Sequence, residues 1–439
     1  MRPQPLTNAE MENLRLLKDK KVDIIAAWSN KQLQCTHCGK CTRRCEVLRT
    51  PGLDIGKVKA AYDSIMALPY DEQPAATIEF VQQDYLMYNA LRQCCFCGYC
   101  TAACAHHVMA PERMRDWREL FMRADLMPPD DSKLVMVDNE WNIFSAYRAI
   151  YGVAYPEFLS LDAAAEAAEN GELTGVDTLL FPGCSLVSYA PDLMKKVGEW
   201  LTAAGVKWAF SDACCGSPLM SAGLFERAHN LRQGIIDKMR KAGITRLITV
   251  CPGCGDEFAE EYAEGIRIVP LPELMLSMAR KRVAAGEESG FASLQRESVT
   301  FFDSCHDRFD NRHANAIRAL FQEFAPEVQH REMRNEKRGT LCCGAGGAVA
   351  SYDPDITDRR IWEVIGEGKL TGAETMITMC PTCAYTVAQA NLTQPDRGMD
   401  SLNYLEFLLG EQIDWPLVFA QLGNMWTGEY AEWLNVTFF

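Results

Sequence analysis

The sequence predicts a multidomain protein in which an all-α N-terminal domain precedes two duplicated α/β domains, and three observations carry that prediction. Apolar residues recur at helical spacing in the first 127 residues, as in Asn8–Trp28, Ala75–Leu91 and the stretch after Pro111. Further on, two segments alternate β-type runs with helical patterns and place cysteines in the same order. Polar, breaker-rich stretches separate the three: PPDDSKLVMVDNEWN at 128–142, LDAAAEAAENGELTG at 161–175 and AAGEESGFASLQRES at 284–298. The expected domains are therefore 1–127, 176–283 and 299–400, with linkers at 128–175 and 284–298 and an aromatic tail at 401–439.

The totals narrow the class of function. With 44 Lys and Arg against 59 Asp and Glu, the formal charge is -15. Such an acidic balance argues against a phosphate-binding surface, so nucleic acid is not expected as a partner. No charged leader with an apolar core and no run of 18 apolar residues stands in the sequence, so a cytoplasmic chain without a transmembrane helix of its own is expected. The Asn391 and Asn435 glycosylation triplets then carry no meaning. Nineteen cysteines in a reducing compartment point to metal, because all of them fall into tight groups at repeated spacings.

The first group, CTHCGKCTRRC, holds Cys35, Cys38, Cys41 and Cys45; the second, in CCFCGYCTAAC, holds Cys94, Cys97, Cys100 and Cys104. Both read C-x2-C-x2-C-x3-C. That spacing wraps a loop around three corners of a cubane [4Fe–4S] cluster and sends the fourth cysteine to the other cluster. Structural zinc sites combine two separated pairs instead. Glu46 and Ala105 stand where a proline often follows the fourth cysteine. Cys95 is left over, either a bystander or an alternative first member in place of Cys94. Lys40, Arg43 and Arg44 can offset the charge of the first cluster, or simply form a solvated face. About fifty residues separate the motifs, room for two helices, and Pro111 fits N1 of a helix whose face holds Met114, Trp117, Leu120 and Phe121. This region resembles the all-helical ferredoxin domain of iron–sulfur subunits of respiratory enzymes.

In the first repeated segment DTLLFPGC ends at Cys184, Cys214 and Cys215 are adjacent, and LITVCPGC supplies Cys251 and Cys254. In the second, VTFFDSC ends at Cys305, Cys342 and Cys343 are adjacent, and MITMCPTC supplies Cys380 and Cys383. Strands that end on one side of a sheet, with helices starting there, collect five thiols at one edge, where helix N-termini favour thiolate. Gly216 and Gly344 after each pair suit a positive φ or a close approach of the backbone. GAGGA at 344–348 is not a dinucleotide fingerprint, since the cysteine pair already occupies the turn.

With two cubane motifs ahead of it, this pattern resembles the cysteine-rich CCG domains of heterodisulfide reductase and its relatives, in particular the fused D-type subunit. The resemblance covers roughly residues 30–390, and the 29-residue gap between Cys184 and Cys214 is slightly short for it. It implies two noncubane [4Fe–4S] clusters, each held by five thiolates of which one bridges irons. Cys184, Cys214, Cys215, Cys251 and Cys254 would hold one; Cys305, Cys342, Cys343, Cys380 and Cys383 would hold the other. These ten would be the catalytic thiolates. The chain would carry two cubane and two noncubane clusters, about sixteen irons.

The resemblance further implies an oxidoreductase subunit of a membrane-associated anaerobic respiratory complex, peripheral on the inner face of the membrane through its partners. Those partners would be a quinone- or haem-binding membrane subunit and other redox subunits, and the substrate a disulfide/thiol pair or a small thiol carrier protein. In the relatives cubane clusters pass single electrons to the noncubane pair, where the disulfide is split; two flanking one-electron groups avoid release of a thiyl radical. His306, beside Cys305, is the candidate proton donor, or a hydrogen-bond partner of a ligand. The same architecture is similar to iron–sulfur subunits that link flavoprotein glycolate, lactate or glycerol-3-phosphate dehydrogenases to quinone. A third possibility is an electron conduit with no substrate. The tail, with Tyr404, Phe407, Trp415, Phe419, Trp426, Tyr430, Trp433, Phe438 and Phe439, reads as a contact for a partner subunit or membrane surface, against packing on the chain's own core.

Overall fold

A computed structural model of the chain describes residues 38–438 except 44, 50–52, 54, 105–109, 128, 173 and 261–264. Cys35, Arg44 and the Asn8–Trp28 stretch lie outside the described residues.

The N-terminal region is helical. Between Cys45 and Cys94 run the helices Ile55–Met66, Gln73–Gln83 and Tyr85–Arg92. The stripe expected from Ala75 to Leu91 is thus divided, because the Asp84 carboxylate accepts a hydrogen bond from the Met87 amide at 3.0 Å and starts a new helix. The Ala110–Arg123 helix turns Met114, Trp117, Leu120 and Phe121 inward, and all four are buried. Trp117 packs edge-on to Tyr62, lies 4.7 Å from Phe80, and donates its indole N–H to the Val58 carbonyl at 3.2 Å. Cutting it back to alanine would cost about 3–5 kcal/mol.

Two four-stranded sheets follow. The first orders β1 (Thr178–Phe181), β2 (Trp208–Phe210), β3 (Arg246–Thr249) and β4 (Arg267–Pro270) as β2-β1-β3-β4. In the second, β5 (Ser298–Phe302), β6 (Gln329–His330), β7 (Thr375–Thr378) and β8 (Asp400–Asn403) are ordered β6-β5-β7-β8. Every pairing is parallel. The identical order confirms the duplication. β1, β5 and β7 are buried along their whole length, as strands covered on both faces must be, and apart from Ser298 and a few threonines they are apolar. In each sheet the chain first moves to one side of its opening strand and then crosses to the other. The carboxyl ends of the opening and third strands therefore flank a topological switch point. One apolar core joins the two sheets, with Leu180, Ile248, Phe301, Ile377 and Leu402 in it.

Two stretches differ from expectation. Where a linker was expected at 128–175, the chain folds into helices Ile143–Tyr151 and Leu161–Glu169, the first capped by Asn142 and Ser145 in a reciprocal box. The 401–439 stretch does not begin as a tail. Residues 400–403 are β8, and the following helix Tyr404–Leu409 is wholly buried. The remaining helices, Trp415–Thr427 and Ala431–Phe438, pack on the Ile143–Tyr151 helix through Val418, Met425, Leu434 and Phe438. Trp433 meets Trp141 edge-to-face at 5.0 Å, and Phe419 meets Tyr385 at 4.9 Å. Most of the tail's described aromatic surface is spent on its own chain. Among the described residues no helix is long and apolar enough to cross a membrane.

Candidate metal centre

The five thiols of each copy come from three turns at the carboxyl edge of its sheet. Cys184 follows β1 and opens the Cys184–Tyr189 helix, Cys214 and Cys215 follow β2, and Cys251 and Cys254 follow β3. Cys305 follows β5 in a single turn opened by Ser304, whose hydroxyl accepts from the His306 amide. Cys342 and Cys343 come after β6, and Cys380 caps the Pro381–Thr393 helix that carries Cys383. Gly216 and Gly344 have φ of +82° and +87°. What approaches them is the next helix: a Cβ would stand 3.3 Å from the Ala228 Cα and 2.7 Å from the Thr357 Cα.

The ten thiols form one file. In the first copy Cys184 lies 3.5 Å from Cys214, which adjoins Cys215; Cys215 meets Cys254, and Cys254 meets Cys251. Cys251 then faces Cys380 at 4.0 Å across the boundary between copies. From Cys380 the file continues through Cys383 and Cys343 to Cys342 and Cys305. Six of the ten, Cys214, Cys215, Cys254, Cys343, Cys380 and Cys383, are buried. Burial alone would keep thiols protonated. Two of these, Cys215 and Cys380, and the half-buried Cys342 are nonetheless held well below the ordinary thiol range by hydrogen bonds from neighbours: Cys215 by Cys214 and Cys254, Cys380 by Cys251 and Cys383, Cys342 by Cys305 and Cys343.

The N-terminal thiols divide. Cys45, the last member of the first motif, sits with Cys94 and Cys100 of the second, and Cys41 is near Cys100. Burial and the charge of Cys45 push Cys94 up to about 11. Cys104 is half-buried against the helical core and Cys38 is exposed. Cys95 leaves this set. Its thiol donates to the Gly344 carbonyl at 3.3 Å and, like Cys97, reaches Cys342 of the second copy.

The charged groups around the thiols were not legible beforehand. Lys40 and Arg43 are exposed. The cation that matters is Arg360, whose charge is held on by Cys95, Cys342, Cys97 and Cys45 against the cost of burial. In the first copy Arg232 donates to the Cys215 carbonyl at 3.1 Å and pairs with buried Glu257 at 3.4 Å, which Arg115 also reaches at 3.3 Å. His306 Nδ1 lies 3.0 Å from the Asp256 carboxylate of the other copy. Burial opposes its protonation, yet the hydrogen bond and charge of Asp256, with Cys380 and Glu257 behind it, raise it to about 9. An acid one turn into the C-P-x-C helix was the only signal for this pair, and it names no partner.

Among the described residues no three His, Cys, Asp or Glu side chains are grouped as ligands to a single ion. An extended file of ten sulfurs suits polynuclear iron–sulfur groups better than a tetrahedral zinc ion, which four ligands close. The chain carries two copies of the cysteine-rich domain CCG, which match residues 178–259 and 299–388. Over most of its length it is similar, at about 22% identity, to proteins described as iron–sulfur proteins and as oxidoreductase subunits. The B-type subunit of the CoM/CoB fumarate reductase of Methanothermobacter marburgensis is 24% identical, covering 85% of this chain and 71% of that one. The D-type subunit of the dihydromethanophenazine:CoB–CoM heterodisulfide reductase of Methanosarcina mazei is 22% identical, over 80% of this chain and 86% of that one. An uncharacterized iron–sulfur protein of Methanococcus maripaludis is 23% identical, over 88% and 72%. A putative Asp/Glu racemase from Yersinia pestis covers 56% of the chain at a TM-score of 0.27 and 10% identity, a likeness too slight to carry an argument.

Proposed function

We propose that the chain is the iron–sulfur subunit of a heterodisulfide reductase-like complex, working at a thiol/disulfide couple. In this reading the helical N-terminal region is a ferredoxin domain in which Cys35, Cys38, Cys41 and Cys104 hold one cubane cluster, and Cys45, Cys94, Cys97 and Cys100 the other. Each quintet, Cys184 with Cys214, Cys215, Cys251 and Cys254, and Cys305 with Cys342, Cys343, Cys380 and Cys383, holds a noncubane cluster. When bound, such groups supply one-electron carriers and iron able to take an external sulfur. The chain sits on the inner face of a membrane through partner subunits, and a quinone- or haem-binding subunit is the expected neighbour.

The observation that carries the reading is the meeting of the two quintets at Cys251 and Cys380. Two one-electron groups on either side of one place can together supply a two-electron disulfide couple, and this is where the protein brings its two sets of sulfur together. Its own residues there hold and orient: Arg232 fixes the Cys215 loop through its carbonyl, and Asp256 fixes His306 beside Cys305. Anaerobic iron analysis with paramagnetic resonance, with and without a CoM/CoB-type thiol or disulfide, tests it. About sixteen irons per chain and a spectrum altered by the thiol are expected. Zinc in the quintets, or a spectrum indifferent to thiols, would reject the disulfide chemistry; co-purification with a flavoprotein dehydrogenase would favour a link to quinone.

A further inference from the structure

We propose that Gly346, Gly347, Arg118 and Arg308 form a seat that holds the thiols of the second cubane-type motif beside those of the second cysteine-rich copy, so that this copy is the one in direct electronic contact with the N-terminal domain. The inference rests on the iron–sulfur reading above and adds an order to it.

The floor of the seat is the GAGGA run. A Cβ on Gly346 would stand 2.5 Å from the Cys95 carbonyl oxygen, and one on Gly347 2.2 Å from that of Cys94. No side chain fits there. Gly347 also has φ +65°, which L residues rarely adopt. Arg118 is the clamp. Fully buried, it donates to the carbonyls of Arg92 and Cys94 at 2.8 and 2.9 Å, to that of Ser221 at 2.8 Å, and to that of Gly347. Its guanidinium also lies over the Phe96 ring, 4.6 Å from the centroid. Arg308, also fully buried, closes the other side by donating to the carbonyls of Cys97 at 2.9 Å, Arg338 at 2.6 Å and Thr340 at 2.8 Å.

The consequence is one-sided. The Cys95 thiol donates to the Gly344 carbonyl of the second copy at 3.3 Å, Cys95 and Cys97 both lie beside Cys342, and Cys97 is near Cys305. The thiol partners of Cys214, Cys215 and Cys254 are all in the first copy, and Cys251 adds only Cys380 of the second. The N-terminal domain also reaches the first copy, but at a carbonyl, a carboxylate and backbone rather than at a thiol: Arg118 donates to the Ser221 carbonyl, Arg115 pairs with Glu257, and a Cβ on Gly223 would stand 2.5 Å from the Arg118 carbonyl oxygen. The order is therefore N-terminal set, second copy, first copy. Exchange across the seat moves one electron, reducing one side as the other is oxidised, with no bond made and no proton moved.

The test is paramagnetic resonance of the anaerobically reconstituted full chain at partial reduction, with iron content measured for the wild type, Cys215→Ser, Cys343→Ser and Gly347→Ala. One of the two copy signals should be split by magnetic interaction with the N-terminal set. The splitting should survive Cys215→Ser, vanish in Cys343→Ser, and weaken in Gly347→Ala with iron content unchanged. A split copy signal in Cys343→Ser, or an unsplit one in Cys215→Ser with its remaining iron in place, would overturn the order while leaving the iron–sulfur reading intact. A wild type without copy signals would overturn that reading and this proposal with it.

Discussion

Aligned on their C-P-x-C motifs, the two cysteine-rich copies place Leu231 against Arg360, Asp256 against Tyr385 and Glu257 against Thr386. The sheets and the cysteine order are shared, yet the charges beside the thiols differ. The second copy, which faces the N-terminal thiols, carries the cation Arg360 among them. In the first copy the cation beside the thiols, Arg232, is paired with the buried acid Glu257, and Asp256 reaches across to His306 of the other copy. A duplicated scaffold has kept what holds sulfur and altered what surrounds it, because each copy packs on a different neighbour.

The strongest way to break the equivalence of the copies is to remove one thiolate from each. Cys215→Ser and Cys343→Ser should each lose about four irons and nearly all turnover with a thiol/disulfide couple. A full iron count in either variant would show that its quintet is not a ligand set.

A large effect on stability is expected where the second copy alone is ionic inside. Arg318 grips Asp303, two residues before Cys305, at 2.7 and 3.0 Å, and both are buried. Asp303 also accepts from the Lys337 amide at 2.6 Å, tying the strand end to the loop that leads to Cys342. Arg318→Met leaves a buried carboxylate without its cation and should cost about 3–5 kcal/mol in anaerobic urea unfolding. A change under about 1 kcal/mol would mean that this region is more hydrated than its packing indicates.

A third comparison concerns the third residue of the helix after the last strand, Glu273 in the first copy and Glu406 in the second. Glu273 meets Arg312. Glu406 is instead buried, with the amides of Asn403 and Ile413 at 2.6 and 2.7 Å. Burial outweighs those amides and raises its carboxyl from 4.5 to about 7. Across that window the native state keeps a proton that the unfolded chain has released, so stability falls as pH rises, by roughly 3 kcal/mol at most. Glu406→Gln should flatten this part of the profile; an unchanged slope would place the loss elsewhere.

The smallest effect is expected at Asp212, the first copy's acid two residues before a cysteine. Its pair with Arg148, at 3.1 Å, is 59% exposed on the acid side. Asp212→Asn should therefore change stability by less than about 1 kcal/mol.

The legible parts of this molecule were those written in local patterns. Strand runs ending in cysteine, the paired thiols and the Met114–Trp117–Leu120–Phe121 stripe each declare themselves within a few residues. β8 did not, since DSLN is polar and short, although the first copy's extra strand and helix beyond its C-P-x-C helix were a cue that the second copy runs on past residue 400. The tail misled for a related reason: aromatic density says that surface will be buried, but not against what. Arg118 and Arg308 gave no signal at all, because they bind carbonyl oxygens, which every residue carries.

By itself the sequence determined which sulfurs belong together along the chain, and that two similar α/β units would present them, because spacing and strand–turn–helix periodicity act over short distances. Only the tertiary structure decided that Cys251 would face Cys380, that Cys95 would join the second copy, and that the 128–175 stretch and the tail would cover each other. Those contacts join residues far apart in sequence, and they are set by the fit of whole surfaces, which no local pattern encodes.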